Sequence, residues 1–315
     1  MIRVTGLHKK YGEEIAVDEL SFSVDAGQVF GLLGPNGAGK STTIGCLSGL
    51  VHPTRGHIQI GAYDLLTAGP KAKALIGIVP QEVALYEDLS AFENLRFFAG
   101  IHNMTGSAFQ TRATELLRAV GLEDRSTEPI KQFSGGMQRR LNFACGIVHR
   151  PQVLFCDEPT VGVDPQSRVH LLDLVRAERE RGTAVIYTTH YMEEAEQLCD
   201  ALMIVDHGRA IASGTMDALR MQVGERDLIQ LNGHFAEGTG EIRQAIQPAA
   251  IEAMGYDLVS VEAHRVQCTG SQGARRLNEL LTHMETTTFA VEGINLLRPS
   301  LESLFIKLTG RELRE

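Results

Sequence analysis

Nine consecutive residues carry the strongest chemical signal in the chain: Gly34-Pro35-Asn36-Gly37-Ala38-Gly39-Lys40-Ser41-Thr42. They fit GxxxxGK[ST] in full and lie between an apolar strand and a helix, the context that gives the pattern meaning. The glycines let successive backbone N–H groups turn inward around phosphate oxygens. A helix starting near Lys40 adds its positive N-terminal dipole. Lys40 can reach the β and γ phosphates, and the Ser41 hydroxyl can ligate Mg²⁺. Asp157 and Glu158 close a second apolar strand, at the sheet edge where ligands bind. Asp157 would hold Mg²⁺ through water, and Glu158 can aim at a water in line with the γ phosphate as general base.

A third feature is Phe133-Ser134-Gly135-Gly136-Met137-Gln138-Arg139-Arg140, ahead of an apolar helix. Ser134 is an N-cap candidate, and the two glycines leave N–H groups open to an anion. Alone it reads as an ordinary capped helix. Beside the loop it makes two phosphate sites in one chain.

The elements around these residues alternate. LSFSVDAGQVFGLLG ends in a fully apolar run, and a helix from Lys40 to about Leu50 is expected after it. Residues 57–62 and 74–80 read as strands. From 85 to 150 the period shifts to about 3.6, which marks a helical insert. Strands return at 153–157, 184–190 and 201–208, with an amphipathic helix ending at Gly182 between the first two. Strands alternating with helices imply a mostly parallel sheet covered on both faces. After about Asp217, DLIQLNG, DLVSVEA and HRVQCTG read as strands, and ARRLNELLTHM and LESLFIKLTGREL as helices. The expected domains are 1–217 and a small α+β unit over 218–315, in keeping with about 150 residues per domain.

Composition excludes several classes. The 315 residues carry 30 basic and 39 acidic side chains, a formal net charge of −9, which argues against a nucleic-acid partner. No run approaches the roughly 18 apolar residues that span a bilayer. The start, MIRVTGLHKKYGEE, has no apolar region of a secretory signal. Cys46, Cys145, Cys156, Cys199 and Cys268 lack CxxC spacing, which reads as reduced, cytosolic and free of zinc.

The order of these motifs resembles the ATP-binding-cassette (ABC) ATPases over about residues 1–217. The resemblance implies an α/β fold: a P-loop NTPase (RecA-like) core with an antiparallel β subdomain and a helical subdomain, followed here by the small C-terminal α+β domain. It implies ATP and Mg²⁺ as ligands and a homodimer paired head to tail. Each ATP would be held between one subunit's phosphate loop and the other's Ser134, Gly135 and Gly136. Tyr11 matches the aromatic that stacks on adenine. Gln81 matches the glutamine that touches Mg²⁺ or the attacking water. Asp164 matches the aspartate that crosses to the partner subunit, and His190 the histidine that contacts the γ phosphate. Phe133, Met137 and Val163 depart from the family's commoner Leu, Gln and Leu, but none removes a charge or the base.

The segment Pro299-Ser300-Leu301-Glu302-Ser303-Leu304-Phe305, with Leu308-Thr309-Gly310-Arg311-Glu312, is similar to the tail of ATPases serving ABC-2 type exporters, drug-resistance ATPases among them. This implies an ATPase subunit on the cytoplasmic face of the membrane, working with a separate integral membrane permease. The insert would transmit nucleotide-driven closure, and Leu85-Tyr86-Glu87-Asp88-Leu89 is a candidate docking surface. Two other readings stand beside it. One is a soluble ABC ATPase with a non-transport role, against which the tail weighs. The other is an unrelated P-loop kinase or GTPase, which would make FSGGM and the histidine after AVIYTT coincidences.

Overall fold

The computed structural model describes residues 1–223, 226–236, 238–271, 273–297 and 300–309. They form two compact units that divide between Gly214 and Thr215, a little before the boundary expected after Asp217. The chain begins β1 (Ile2–Tyr11), β2 (Glu14–Val24), β3 (Val29–Leu33), α1 (Lys40–Leu47), β4 (Arg55–Ile60), β5 (Tyr63–Asp64), α2 (Gly69–Lys73) and β6 (Ile76–Val79). Three longer helices come next, α3 (Ala91–Ile101), α4 (Gly106–Ala119) and α5 (Gly135–Gly146), within the expected insert. Then come β7 (Val153–Asp157), α6 (Pro165–Glu180), β8 (Ala184–Thr189), α7 (Met192–Leu198), β9 (Ala201–Asp206) and β10 (Arg209–Thr215).

Two sheets make the first unit. One is antiparallel, in the order β2-β1-β4-β5. The other runs β10-β9-β3-β8-β7-β6, and β9, β3, β8, β7 and β6 are mutually parallel. Both β3 and β8 are buried along their whole length, which is why VFGLL and AVIYTT read as continuous runs rather than alternations. Helix α1 joins the two sheets: Ile44 and Leu47 share one core with Ile2 and Ile58 of the antiparallel sheet and with Leu32, Phe155 and Ile186 of the parallel one. Burying each such side chain contributes about 2 kcal/mol, so the loop ahead of α1 stands on a fixed base. The helix stops at Leu47, short of the expected Leu50. Ser48 caps it, and Gly49 turns out of it at φ +69.

Helix α3 opens on a reciprocal cap: the Ser90 hydroxyl accepts from the Glu93 N–H, and the Glu93 carboxylate accepts from the Ser90 N–H.

The second unit contains α8 (Met216–Val223), β11 (Arg226–Phe235), α9 (Ile242–Ala245), α10 (Pro248–Ala253), β12 (Tyr256–Glu262), β13 (Arg265–Ser271), α11 (Gly273–Glu285), β14 (Phe289–Leu297) and α12 (Leu301–Thr309). Its antiparallel sheet has the order β12-β13-β11-β14. Ile229, Leu231, Val266 and Cys268 form its core with Leu280 and Met284 of α11. Strand β14 and helices α8, α9 and α10 are not among the elements expected from sequence. Within the tail motif, Leu301, Leu304 and Phe305 bury one face of α12. Pro299, Gly310, Arg311 and Glu312 lie outside the described residues.

Candidate functional site

The parallel order places the ends of β3, β8 and β7 side by side, with Leu33 opposite Thr189 and Thr188 opposite Asp157. The segments leaving these three strands therefore meet at one edge. After β3 comes the phosphate loop. Its ends admit only glycine. A Cβ on Gly34 would lie 2.2 Å from the Val205 carbonyl, and one on Gly39, at φ +100, 2.3 Å from that of Ala16. Ala38 is buried in the core between them.

Lys40 is 5% exposed. Its ammonium donates to the carbonyls of Gly34 (2.7 Å) and Pro35 (3.0 Å) and pairs with Glu158 Oε1 at 2.9 Å. The Ser41 hydroxyl donates to Asp157 Oδ1 at 3.2 Å, so two of the three expected Mg²⁺ ligands face each other. Thr188 Oγ1 donates to the same carboxylate oxygen at 2.7 Å and accepts from the Glu158 N–H at 2.9 Å. Glu158 is 4% exposed and sits at φ +43, a left-handed conformation that costs a residue with a Cβ about 1 kcal/mol. Its second oxygen, Oε2, lies 3.0 Å from His190 Nδ1.

A cleft of about 690 Å³ opens over this group, a size suited to a nucleotide. Tyr11, Asn36, Gly37, Gly39, Lys40, Ser41, Thr42, Gln81 and Glu158 line it, together with Glu14, Ile15, Ala16 and His207. Tyr11 is 48% exposed, with the Lys9 ammonium 4.6 Å from its ring centroid. The Gln81 carbonyl accepts from Arg139 of α5, whose guanidinium also reaches the carbonyl of Val161 at 3.3 Å.

Ser134, Gly135, Gly136 and Asp164 do not line this cleft. They form a second cluster. Ser134 Oγ accepts from the Met137 N–H and caps α5. Asp164 Oδ1 accepts from the Ser167 N–H at 2.9 Å and caps α6, and these hydrogen bonds hold its carboxyl below the usual range. Gly136 is the contact between the two caps: a Cβ there would lie 2.2 Å from Ser167 Oγ and 2.9 Å from Asp164 Oδ2.

Comparison with known proteins meets this geometry. Residues 17–161 match the ABC transporter family model. The linearmycin resistance ATP-binding protein LnrL of Bacillus subtilis (strain 168) is 43% identical, with both chains covered in full. The chain belongs to the ABC transporter ATP-binding proteins. The Nod factor export ATP-binding protein I of Ralstonia nicotianae is similar at 37% identity, covering 100% of this chain and 95% of that one. A solved ATP-binding subunit of an ABC transporter superposes with a TM-score of 0.66 at 33% identity, over 71% of this chain and 93% of that one.

This ABC ATPase binds and hydrolyses ATP as part of a transporter. Among its described residues no helix is long and apolar enough to cross a membrane. Three residues of the site escape sequence reading. Thr188 bridges Asp157 and Glu158 only because β7 and β8 are paired in this register. Arg139 ties α5 to Gln81, and nothing in the Gln138-Arg139-Arg140 run tells it from its neighbours. His207 reaches the cleft from the turn after β9, with no local signal at all.

Proposed function

We propose that this ATPase energises an exporter from the cytoplasmic face of the membrane, as a head-to-tail homodimer bound to its permease. One observation carries the catalytic part: Lys40 and Glu158, which line the cleft, form with His190 a continuous chain of contacts of 2.9 and 3.0 Å. In this reading the backbone N–H groups of Gly34–Gly39 and the Lys40 ammonium hold the triphosphate, and Tyr11 supports the adenine. Ser41, Asp157 and Gln81 offer the hard oxygen donors that suit Mg²⁺, which neutralises phosphate charge when bound. Lys40 exchanges Glu158 for phosphate oxygens, and this frees the carboxylate. Glu158 then takes a proton from a water attacking the γ phosphorus as the bond to the β-phosphate oxygen breaks. His190 orients Glu158 from the other side.

The dimer follows from what one chain separates. Ser134, Gly135, Gly136 and Asp164 stand outside the cleft, and the α5 N-terminus formed by Ser134, Gly135 and Gly136 suits a phosphate presented by a second copy. Closure then uses the higher affinity of the dimer for the ATP state. Outward transport is supported by the full-length likeness to resistance and export ATPases and by the tail motif.

Docking falls to the segment after Gln81. Tyr86 and Phe97 are about half exposed and meet edge to face at 4.7 Å, and Ile101 is 61% exposed. Asn94, fully buried, holds Tyr86 by accepting from its N–H at 2.9 Å and donating to its carbonyl at 3.1 Å.

The test is Glu158→Gln. It should bind ATP, lose turnover about 100-fold or more, and accumulate as a dimer with ATP on a sizing column. Turnover near that of the wild type would remove Glu158 from its role.

A further inference from the structure

Beneath the cleft lies a carboxylate that the proposed mechanism does not use. Glu194, on α7, is 3% exposed. Its Oε2 accepts three hydroxyl donors: Thr160 Oγ1 at 2.9 Å, Tyr187 OH at 2.9 Å and Thr189 Oγ1 at 3.0 Å. Its Oε1 faces Arg168 Nε at 3.5 Å, and among the described residues neither atom has a hydrogen-bond partner. The Arg168 guanidinium stacks over the Tyr191 ring at 4.6 Å, and that ring lies 4.1 Å from His190. The Tyr191 N–H donates to Thr189 Oγ1.

The donors come from particular places. Thr160 stands two residues after Glu158, and Thr189 immediately precedes His190. Arg168 lies in the first turns of α6, the helix that Asp164 caps. We propose that Glu194 is a positioning residue for ATP hydrolysis: its buried carboxylate clamps the segments carrying Glu158 and His190, and through Arg168 it ties them to the helix begun by Asp164. The inference rests on the roles given to Glu158 and His190 above.

A purely structural role does not call for a charge. Burying a carboxylate is costly, and a well-packed apolar side chain would hold the fold at least as well. What the charge adds is direction. Three hydroxyl bonds of 2.9 to 3.0 Å to one carboxylate oxygen fix two threonine hydroxyls relative to each other. The backbone between each threonine and its neighbour then sets the 3.0 Å approach of His190 to Glu158. Glu158 needs such support, because its left-handed φ persists only where surroundings impose it. Burial raises the Tyr187 phenol well above its usual pKa, which keeps it a donor to the clamp.

The experiment compares full-length wild type with Glu194→Gln, Tyr187→Phe, Thr189→Val and Glu158→Gln. It reads kcat, KM for ATP, equilibrium ATP affinity and the thermal midpoint. Glu194→Gln keeps the shape and loses the charge. Its kcat should fall about 10-fold or more, with KM and ATP affinity within about twofold, the pattern of a misplaced reacting group. Tyr187→Phe and Thr189→Val should each lower kcat about three- to fivefold in the same pattern. The clamp is overturned if kcat of Glu194→Gln stays within about twofold of wild type, or falls only in step with ATP affinity or the folded fraction. If Glu194→Gln does not fold, the two single-hydroxyl variants decide, and unchanged kcat in both overturns it. Glu158→Gln separates the two ideas. If that variant turns over normally, the catalytic reading fails and the clamp with it; if it is inactive while Glu194→Gln is active, the clamp alone fails.

Discussion

At the scale of single residues, Lys40 decides most. An ammonium has three donors, and here they go to two loop carbonyls and to Glu158. Lys40→Ala therefore has two expected effects. It removes the cation that faces the phosphates, a charge-assisted contact of about 2 kcal/mol, so ATP affinity should fall at least about tenfold. It also strands the buried Glu158 carboxylate with only His190 beside it, so the thermal midpoint should drop as well. Equilibrium titration with ATP and a thermal scan check both. An unchanged affinity would contradict the loop assignment. Residues such as Lys40, Ser41, Asp157 and Glu158 are legible in the sequence because type and spacing alone define their chemistry. Thr188 and Glu194 are not, because each acts through partners that only strand register and helix packing bring near.

At the scale of elements, β3, β7 and β8 announce themselves as apolar runs because both of their faces are covered, and the site at their ends can be placed from that. The edge strand β14 is not legible: Glu292, Gly293 and Asn295 interrupt its pattern, and it pairs with β11 alone. Sequence presents Gly136 as an open N–H donor. The structure adds that it lets α5 and α6 touch. Gly136→Ala should push Asp164 and Ser167 aside. We expect turnover to fall about tenfold while ATP affinity of the single chain holds, because the cleft is untouched; a loss of ATP affinity of the same size would show the two clusters to be one. A second junction sits where the insert meets β6. His102 and His149 stack with centroids 3.5 Å apart, and His149 Nε2 lies 3.0 Å from the Ile76 carbonyl. Burial, with His102 close by, pushes His149 down to about 4, and burial lowers His102 too. The folded value lies below the unfolded one of about 6.5, so the unfolded chain binds more protons between them. The stabilisation is complete above pH of about 6.5 and is lost as pH falls toward 4. Solvent reaches the rings, so the His149 share is on the order of 1 kcal/mol. Urea unfolding at pH 7 and pH 5 should show this loss in the wild type and a smaller one in His149→Phe. Equal losses in both would remove His149 as the cause.

At the scale of the whole molecule, the first unit holds two half-sites and an exposed aromatic face, and each calls for something outside the chain. The cleft is lined by the phosphate loop and Glu158, with His190 joined to it through Glu158, yet the glycine-rich helix start stands apart from it. In the face at Tyr86, Phe97 and Ile101, buried Asn94 fixes the Tyr86 backbone, although an exposed aromatic on a free surface needs no such fixing. Large exposed apolar groups gathered on α3 and the loop before it mark an interaction site. Their position links the two demands, since the segment runs directly on from Gln81, and Gln81 is tied through Arg139 to the helix that Ser134 caps. A movement driven at the cleft would reach the face through these contacts. The prediction is made on Glu158→Gln protein, captured with ATP from gently solubilised membranes. A polytopic membrane protein should co-purify with it. Adding Tyr86→Ala and Phe97→Ala should lower that recovery about tenfold, since losing two anchor side chains costs at least about 1.4 kcal/mol, and ATP affinity should hold. Full recovery with the double substitution would move the docking site elsewhere, and capture of soluble partners alone would sink the transport reading for this chain.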